Sequence, residues 1–229
     1  MKLGIMQPYF LPYIGYWQLM NAVDEYVVYD DVNYIKGGWI NRNYLLLHGK
    51  PHLFTLPLLS ASSFARICEI SMAPIPDKLF KTIEQAYGKA PYYGPTCDLL
   101  KKIFRFPSNN LSQFLFNSIQ TVASFLGMKT KFHLASSMDI SHEVHAQERV
   151  LLICSMLHAS EYYNAIGGQE LYSREVFCQA DIRLRFLQPN PIEYPQSSGP
   201  FIPNLSILDV LMFNPVENVK HMLLKYVLV

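Results

Sequence analysis

Charge is sparse and evenly balanced in this chain of 229 residues: 19 lysines and arginines face 18 carboxylates, and no basic or acidic block occurs. That balance gives no support for nonspecific binding to nucleic acid. Cysteine is scarce too. Cys68, Cys97, Cys154 and Cys178 lie far apart with no C-x-x-C pair, which argues against a disulfide framework or zinc site and for reduced core thiols. No apolar run approaches the roughly eighteen residues of a membrane span. The opening "MKLGIMQPY" is broken by proline before any signal-like apolar region forms, so a cytoplasmic protein is expected. Gly/Ser linkers, internal repeats, a G-x-S-x-G elbow, a G-x-G-x-x-G fingerprint and a P-loop are all missing.

What is present is apolar and aromatic. Half the residues are hydrophobic, with 15 tyrosines and 14 phenylalanines, enough for one domain over residues 1–229 with a sizeable core. "LGIMQ" reads as a buried strand, "YIGYWQLMNAVDEY" as a helix and "EYVVYDD" as a second strand. By length and pattern this is a parallel β-α-β unit. "NRNYLLLHGKPHLFTL" predicts a hairpin turning at Gly49, and "ARICEISM" a further strand. A helical subregion follows at about 77–160, with helices over 77–87, 110–126 and 146–158. Next come a strand in "SEYYNAIGG", a short helix in "SREVFCQA", an alternating strand in "IRLRFLQ", a proline-rich connection and a helix in "LSILDVLMFN". The class predicted is α/β: a Rossmann-like parallel sheet with an inserted β-hairpin and a helical middle region.

Four stretches could carry chemistry. "QPYFLPYIGY" (7–16) stands between the first strand and helix, where open parallel sheets bind ligands. Gln7 offers a planar amide, Pro12 stiffness and Gly15 close approach, or else the tyrosines pack the loop as a cap. Asp30 and Asp31 end the second strand, and alternation points only one of them inward. With Lys36, Asn41 and Arg42 they could grip a phosphate or carboxylate, or instead knit a surface hairpin. Glu148 and Arg149 occupy adjacent helix faces, so at least one charge should point inward and need a partner. Tyr163, Gly167, Gly168 and Tyr172 surround a glycine pair at a strand end, a turn or a site. Ser206 suits a helix cap, with Asp209 completing a capping box, while Tyr194 and Gln196 lie in the long connection. His142, His145 and Glu148 share a helical face without H-E-x-x-H spacing, so no metal site is expected. Cys154, inside an apolar helical run, reads as core.

Taken in order, "LGIMQPYFLPYIGYWQLMNAVDEYVVYDDVNYIKGGWINRN", "KAPYY", "ERVLLICSMLHASEYYNAIGGQELY", "IRLRFLQPNPIEYPQ" and "FIPNLSILDVLMFNP" resemble the WbqC-like family along nearly the whole chain. The resemblance implies an accessory of O-antigen and surface-polysaccharide assembly, acting on sugar nucleotides or lipid-linked saccharides and transferring an acyl or aminoacyl group, such as glycine, to an amino sugar. The family pattern falls here on Gln7, Pro8, Pro12, Gly15, Tyr16, Asp30, Asp31, Lys36, Asn41, Arg42, Lys89, Glu148, Arg149, Tyr163, Gly167, Gly168, Tyr172, Gln196, Ser206 and Asp209. A second, fainter similarity is to nucleotidyltransferases, whose H-x-G-H turn is replaced here by Pro12–Tyr16.

The function expected is therefore group transfer, with Asp31 or Asp30 as general base and the other pattern residues binding substrate. The alternatives are a non-catalytic sugar-nucleotide-binding or assembly protein, and a degenerate nucleotidyltransferase-like enzyme. The partner expected is a small molecule, a sugar nucleotide or activated acyl donor. Cofactor and oligomeric state are left unspecified by the sequence.

Overall fold

The structure is a computed structural model that describes residues 1–141, 143–197 and 199–229. Strand β1 (Lys2–Met6) leads through helix α1 (Ile14–Asn21) to β2 (Glu25–Val28), and the two strands pair in parallel. A hairpin, β3 (Arg42–Leu47) and β4 (Lys50–Thr55), is followed by the two-residue strands β5 (Leu58–Leu59) and β6 (Ser71–Met72). Three helices come next: α2 (Asp77–Tyr87), α3 (Tyr93–Phe104) and α4 (Leu111–Phe125). The chain then alternates through β7 (Lys131–Leu134), α5 (Ala146–Met156), β8 (Glu161–Ala165), α6 (Arg174–Gln179) and β9 (Arg183–Pro189). Helices α7 (Ile207–Phe213) and α8 (Val216–Met222) precede β10 (Tyr226–Leu228).

The main sheet runs β10-β9-β8-β1-β2-β7, parallel throughout except for β10. Its central strands β1, β2 and β8 are buried on both faces, as a doubly covered parallel sheet requires. In β2, Tyr26 and Val28 face the core shared with α1 and α4, whereas Val27 joins Leu3 and Ile5 against Ile153 and Phe177 of α5 and α6. Chain order reverses at β1, so the carboxyl ends of the strands are where this architecture leaves room for a ligand.

The expected β-α-β unit and α/β class are observed. The hairpin turn uses two left-handed residues, His48 (φ 51°) and Gly49 (φ 72°), and Gly127 ends α4 at φ 69°. Among the described residues, the elements that escaped the sequence reading include α3, α8, β7 and β10. "ARICEISM" forms mainly a short 3-10 turn, Ile67–Glu69, with only two residues in β6. The glycine pair lies in a second 3-10 segment, Ile166–Leu171, which directly follows β8, so it forms a helical turn at the strand's end. Of the four thiols only Cys154 is buried, while Cys178 is exposed, so the expectation of core thiols fails for the others. Burial pushes the Cys154 thiol up to about 12, which leaves it inert as a nucleophile at neutral pH.

The β2–β7 edge carries a carboxylate hydrogen-bonded to two basic side chains. Partial burial raises the Glu25 carboxyl, but hydrogen bonds from His133 (2.6 Å) and Lys131 (3.3 Å) outweigh it and hold the group below its ordinary value. A depressed carboxyl contributes stability that is present above its unfolded pKa and lost as pH falls through its folded one. Wild-type protein should therefore lose stability more steeply than Glu25→Gln between about pH 5 and pH 3. Urea titrations across that window check it; parallel curves would contradict the assignment.

Candidate functional site

The two aspartates after β2 have separate fates. Asp30 is fully buried with both oxygens partnered: it accepts hydrogen bonds from Ser112 Oγ at the start of α4, from Ser136 Oγ (2.7 Å) and from the Ser136 amide (2.9 Å). It ties α4 and the segment after β7 to the sheet, so its oxygens are committed to the fold. Asp31 is also buried, at 6% exposure, and its Oδ2 accepts from the Arg149 guanidinium of α5. Oδ1 of Asp31 and Nε of Arg149 are shut off from water without a hydrogen-bond partner among the described residues. Each such buried orphan costs about 1–3 kcal/mol. Native structures carry few of them without a reason.

Both residues line a cavity of about 610 Å³ at the carboxyl end of β2, together with Tyr29, Asn33, Phe64, Arg66, Glu69 and Val144–Ala146. Backbone pairing builds one wall. Residues 65–68 run alongside 30–34, with Cys68 N donating to Asp30 O (2.9 Å), Ile67 N to Val32 O (3.0 Å) and Tyr34 N to Ala65 O (2.9 Å). This holds Arg66, paired with Glu69, beside Asp31. The opposite wall is the start of α5. There Arg149 also donates to the Ser141 carbonyl (2.8 Å) and lies 5.9 Å from the centre of the Tyr29 ring. Desolvation pushes the Tyr29 phenol up to about 12, partly offset by Arg149, so it stays protonated at neutral pH. Phe64, at the rim, is 91% exposed.

The rigid first loop serves another purpose. Leu11 is left-handed (φ 45°), and its carbonyl accepts from Asn43 Nδ2 (2.9 Å) and Ser206 Oγ (2.7 Å). Trp17 Nε1 and the Ile207 amide donate to the Pro12 carbonyl, each at 3.0 Å, and Tyr16 donates to the Gln7 carbonyl (2.6 Å). The loop thereby joins the hairpin and α7 to the sheet. A Cβ on Gly15 would lie 2.4 Å from the Tyr13 ring and 2.9 Å from Pro189, so the close approach it permits is to the protein itself. On its outer side the loop helps form a separate cleft of about 380 Å³, lined by Tyr9, Pro12, Tyr13, Trp39, Asn43, Pro189 and Asn204. Gly15→Ala should destabilise by about 1–3 kcal/mol through overpacking. Thermal unfolding reads this, and an unchanged midpoint would show that Tyr13 gives way freely.

The other sequence candidates disperse. Arg42 curls onto its own turn, donating from Nε to the Gly38 carbonyl (3.0 Å) and from Nη2 to that of Gly37. Asn41 is buried, accepting from Tyr34 (2.8 Å) and donating to the Leu56 carbonyl (2.9 Å). Both knit the hairpin region instead of lining the Asp31 cavity. Lys36, Lys89, Glu148 and Gly167 are exposed. Tyr163 is buried, its hydroxyl 3.4 Å from Glu161, and Tyr172 packs on Tyr162. A Cβ on Gly168 would meet the Asn164 side chain at 3.2 Å. Ser206 does cap α7, accepting from the Leu208 amide (3.3 Å), but Asp209 forms no capping box. It accepts instead from Tyr87 (3.0 Å), Tyr194 (2.7 Å) and Gln196 (2.7 Å), pinning the long connection to α2. Of the His142–His145–Glu148 pattern, His142 lies outside the described residues, and the other two are exposed.

The cavity residues absent from the sequence candidates are Tyr29, Val32, Asn33, Phe64, Arg66, Glu69, Val144 and Ala146, and His145 figures there only in the histidine pattern. Only the charged pair inside "ARICE" offered a signal, and it read as a strand.

Comparison with known proteins adds identity to this geometry. A family model described as the WbqC-like protein family matches residues 7–221. An uncharacterised protein of Mycobacterium tuberculosis, Rv1507c, is 28% identical over 218 residues, covering 93% of each chain. No solved structure matches. No helix among the described residues is long and apolar enough to cross a membrane.

Proposed function

The chain belongs to the WbqC-like protein family, and on that premise we propose that it is a group-transfer enzyme of surface-polysaccharide assembly. The reaction proposed is acyl or aminoacyl transfer to the amine of an amino sugar held in the Asp31 cavity. One observation carries the reading: a buried carboxylate, gripped through one oxygen by Arg149, keeps its other oxygen without a partner in the wall of a cavity at a strand's carboxyl end. On this proposal the wall around Oδ1 opens as substrate binds, and the incoming amine supplies that partner. As the amine nitrogen attacks the acyl carbonyl, Oδ1 takes its proton, the C–N bond forms, and the bond to the leaving group breaks with its electron pair. General-base catalysis of this kind contributes about a hundredfold or more. Arg149 orients Asp31, acting as a positioning residue. Both oxygens of Asp30 already accept hydrogen bonds from serines, which leaves Asp31 the better placed of the two.

Asp31→Asn keeps the size of the side chain and removes the base. With UDP-amino sugars and acyl or aminoacyl donors as substrates, and mass spectrometry of the product, turnover should fall by about a hundredfold or more. Unchanged turnover would remove Asp31 from the chemistry. The sealed position of Oδ1 also favours a second reading, a binding protein in which the Asp31–Arg149 pair shapes the cavity wall and no proton is transferred. Ligand-induced thermal stabilisation without product from wild-type protein would select that reading.

A further inference from the structure

The start of α5 is unlike that of α1. At α1 the close packing of Tyr13 and Pro189 against Gly15 fills the space beside the first turn. Helix α5 spans 11 residues, its N-cap residue His145 makes no side-chain cap, and Val144, His145, Ala146 and Arg149 all face the cavity. The first amides of a helix have no partner within it and form its positive end. Ala146 adopts a left-handed backbone (φ 48°), a conformation an alanine rarely takes, right at the cavity edge.

A second observation points to a ligand independently. Arg149, only 4% exposed, lines the same cavity and has its Nε–H unpartnered among the described residues. The charged groups facing this space are Arg149, Arg66, Asp31 and Glu69, with His145 beside them. The formal charges of the four cancel, so a net attraction for an anion comes from the helix end and the unused guanidinium donor. We propose that the start of α5, with Arg149 Nε, is a phosphate-binding subsite of this cavity, which seats a phosphorylated substrate so that its reacting group lies beside Asp31. The proposal rests on the reading of this cavity as the ligand site. At about 610 Å³ the cavity exceeds a lone phosphate and suits a small phosphorylated molecule.

The test uses pyrophosphate as the probe, followed by phosphorus NMR and thermal shift on the full chain. Wild-type protein should bind it and unfold at a higher temperature in its presence. Ala146→Asp places a carboxylate in the first turn of α5, where aspartate tolerates the left-handed backbone and its charge suits the positive end of the helix. This variant should fold at least as stably as wild type and bind pyrophosphate at least about tenfold more weakly, as expected of a charge at a helix start. Ala146→Gly, which keeps the amides and relieves the backbone, should retain binding. Absence of pyrophosphate binding to wild type, or equal binding by Ala146→Asp, would overturn the proposal, and so would malonate binding as tightly as pyrophosphate. Such a failure beside an Asp31→Asn variant that had lost turnover would remove the phosphate subsite and leave the base in place.

Discussion

Arg149→Met is expected to lower stability by about 3–5 kcal/mol, because it leaves Asp31 charged and buried without its counterion. The side chains of the pair are 4% and 3% exposed, so water cannot take over the arginine's role. The double variant Asp31→Leu/Arg149→Met should recover most of that loss. Replacing a buried ion pair by apolar groups of similar volume is often neutral, since both desolvation costs vanish with the pair. Urea unfolding of wild type, the single variant and the double variant forms the test. A single-variant cost below about 1 kcal/mol would mean that the pair is solvated. A double variant no better than the single one would mean that the residues support the fold separately.

Asp30→Ala should cost about 3 kcal/mol by a different route. It strands the Ser112 and Ser136 hydroxyls and the Ser136 amide, all of which donate to Asp30. Hydrogen bonds to a charged group are worth about 1.5–3 kcal/mol each, and part is regained as the site relaxes. Asp31→Asn leaves Arg149 buried without its counterion and should cost stability as well, but per folded molecule it should lose about a hundredfold of turnover, which Asp30→Ala should keep. Two adjacent aspartates then separate by assay of the folded protein. Equal profiles for both variants would dissolve the division of labour.

The contrast between these neighbours shows what the chain discloses in one dimension. Strand β1, helix α1 and strand β2 were legible because apolar period and length are local properties. That one of Glu148 and Arg149 must turn inward followed from helix geometry, and the structure turns Arg149 inward. The identity of its partner, 118 residues away, is a product of sheet order and has no local trace. Strand β7 was missed because "KFHL" is short, and its partly exposed edge position removes the apolar signature. Helix α3 was missed because "YGPTCDLLKKIF" opens with glycine and proline, whereas proline is well tolerated in a helix's first turn.

For the site, residue type was a good guide to Asp31 and a poor one to Arg42. Arginine beside two glycines satisfies itself on their carbonyls. The first loop attracted attention for its stiffness, and it is stiff. That stiffness fastens the hairpin and α7 to the sheet, a structural use that sequence cannot separate from ligand binding. Arg66, Glu69 and Phe64 reach the cavity because residues 65–68 lie along 30–34, a long-range pairing with no motif.

The central claim is that the Asp31 cavity holds the ligand, in preference to the aromatic cleft beside the first loop. Amide chemical-shift mapping during titration with UDP-glucosamine tests it most directly. The account predicts shifts gathered at Tyr29, Asp31, Asn33, Arg66 and residues 144–149. Shifts confined to Tyr9, Tyr13, Trp39 and Asn204, with the Asp31 cavity silent, would contradict it.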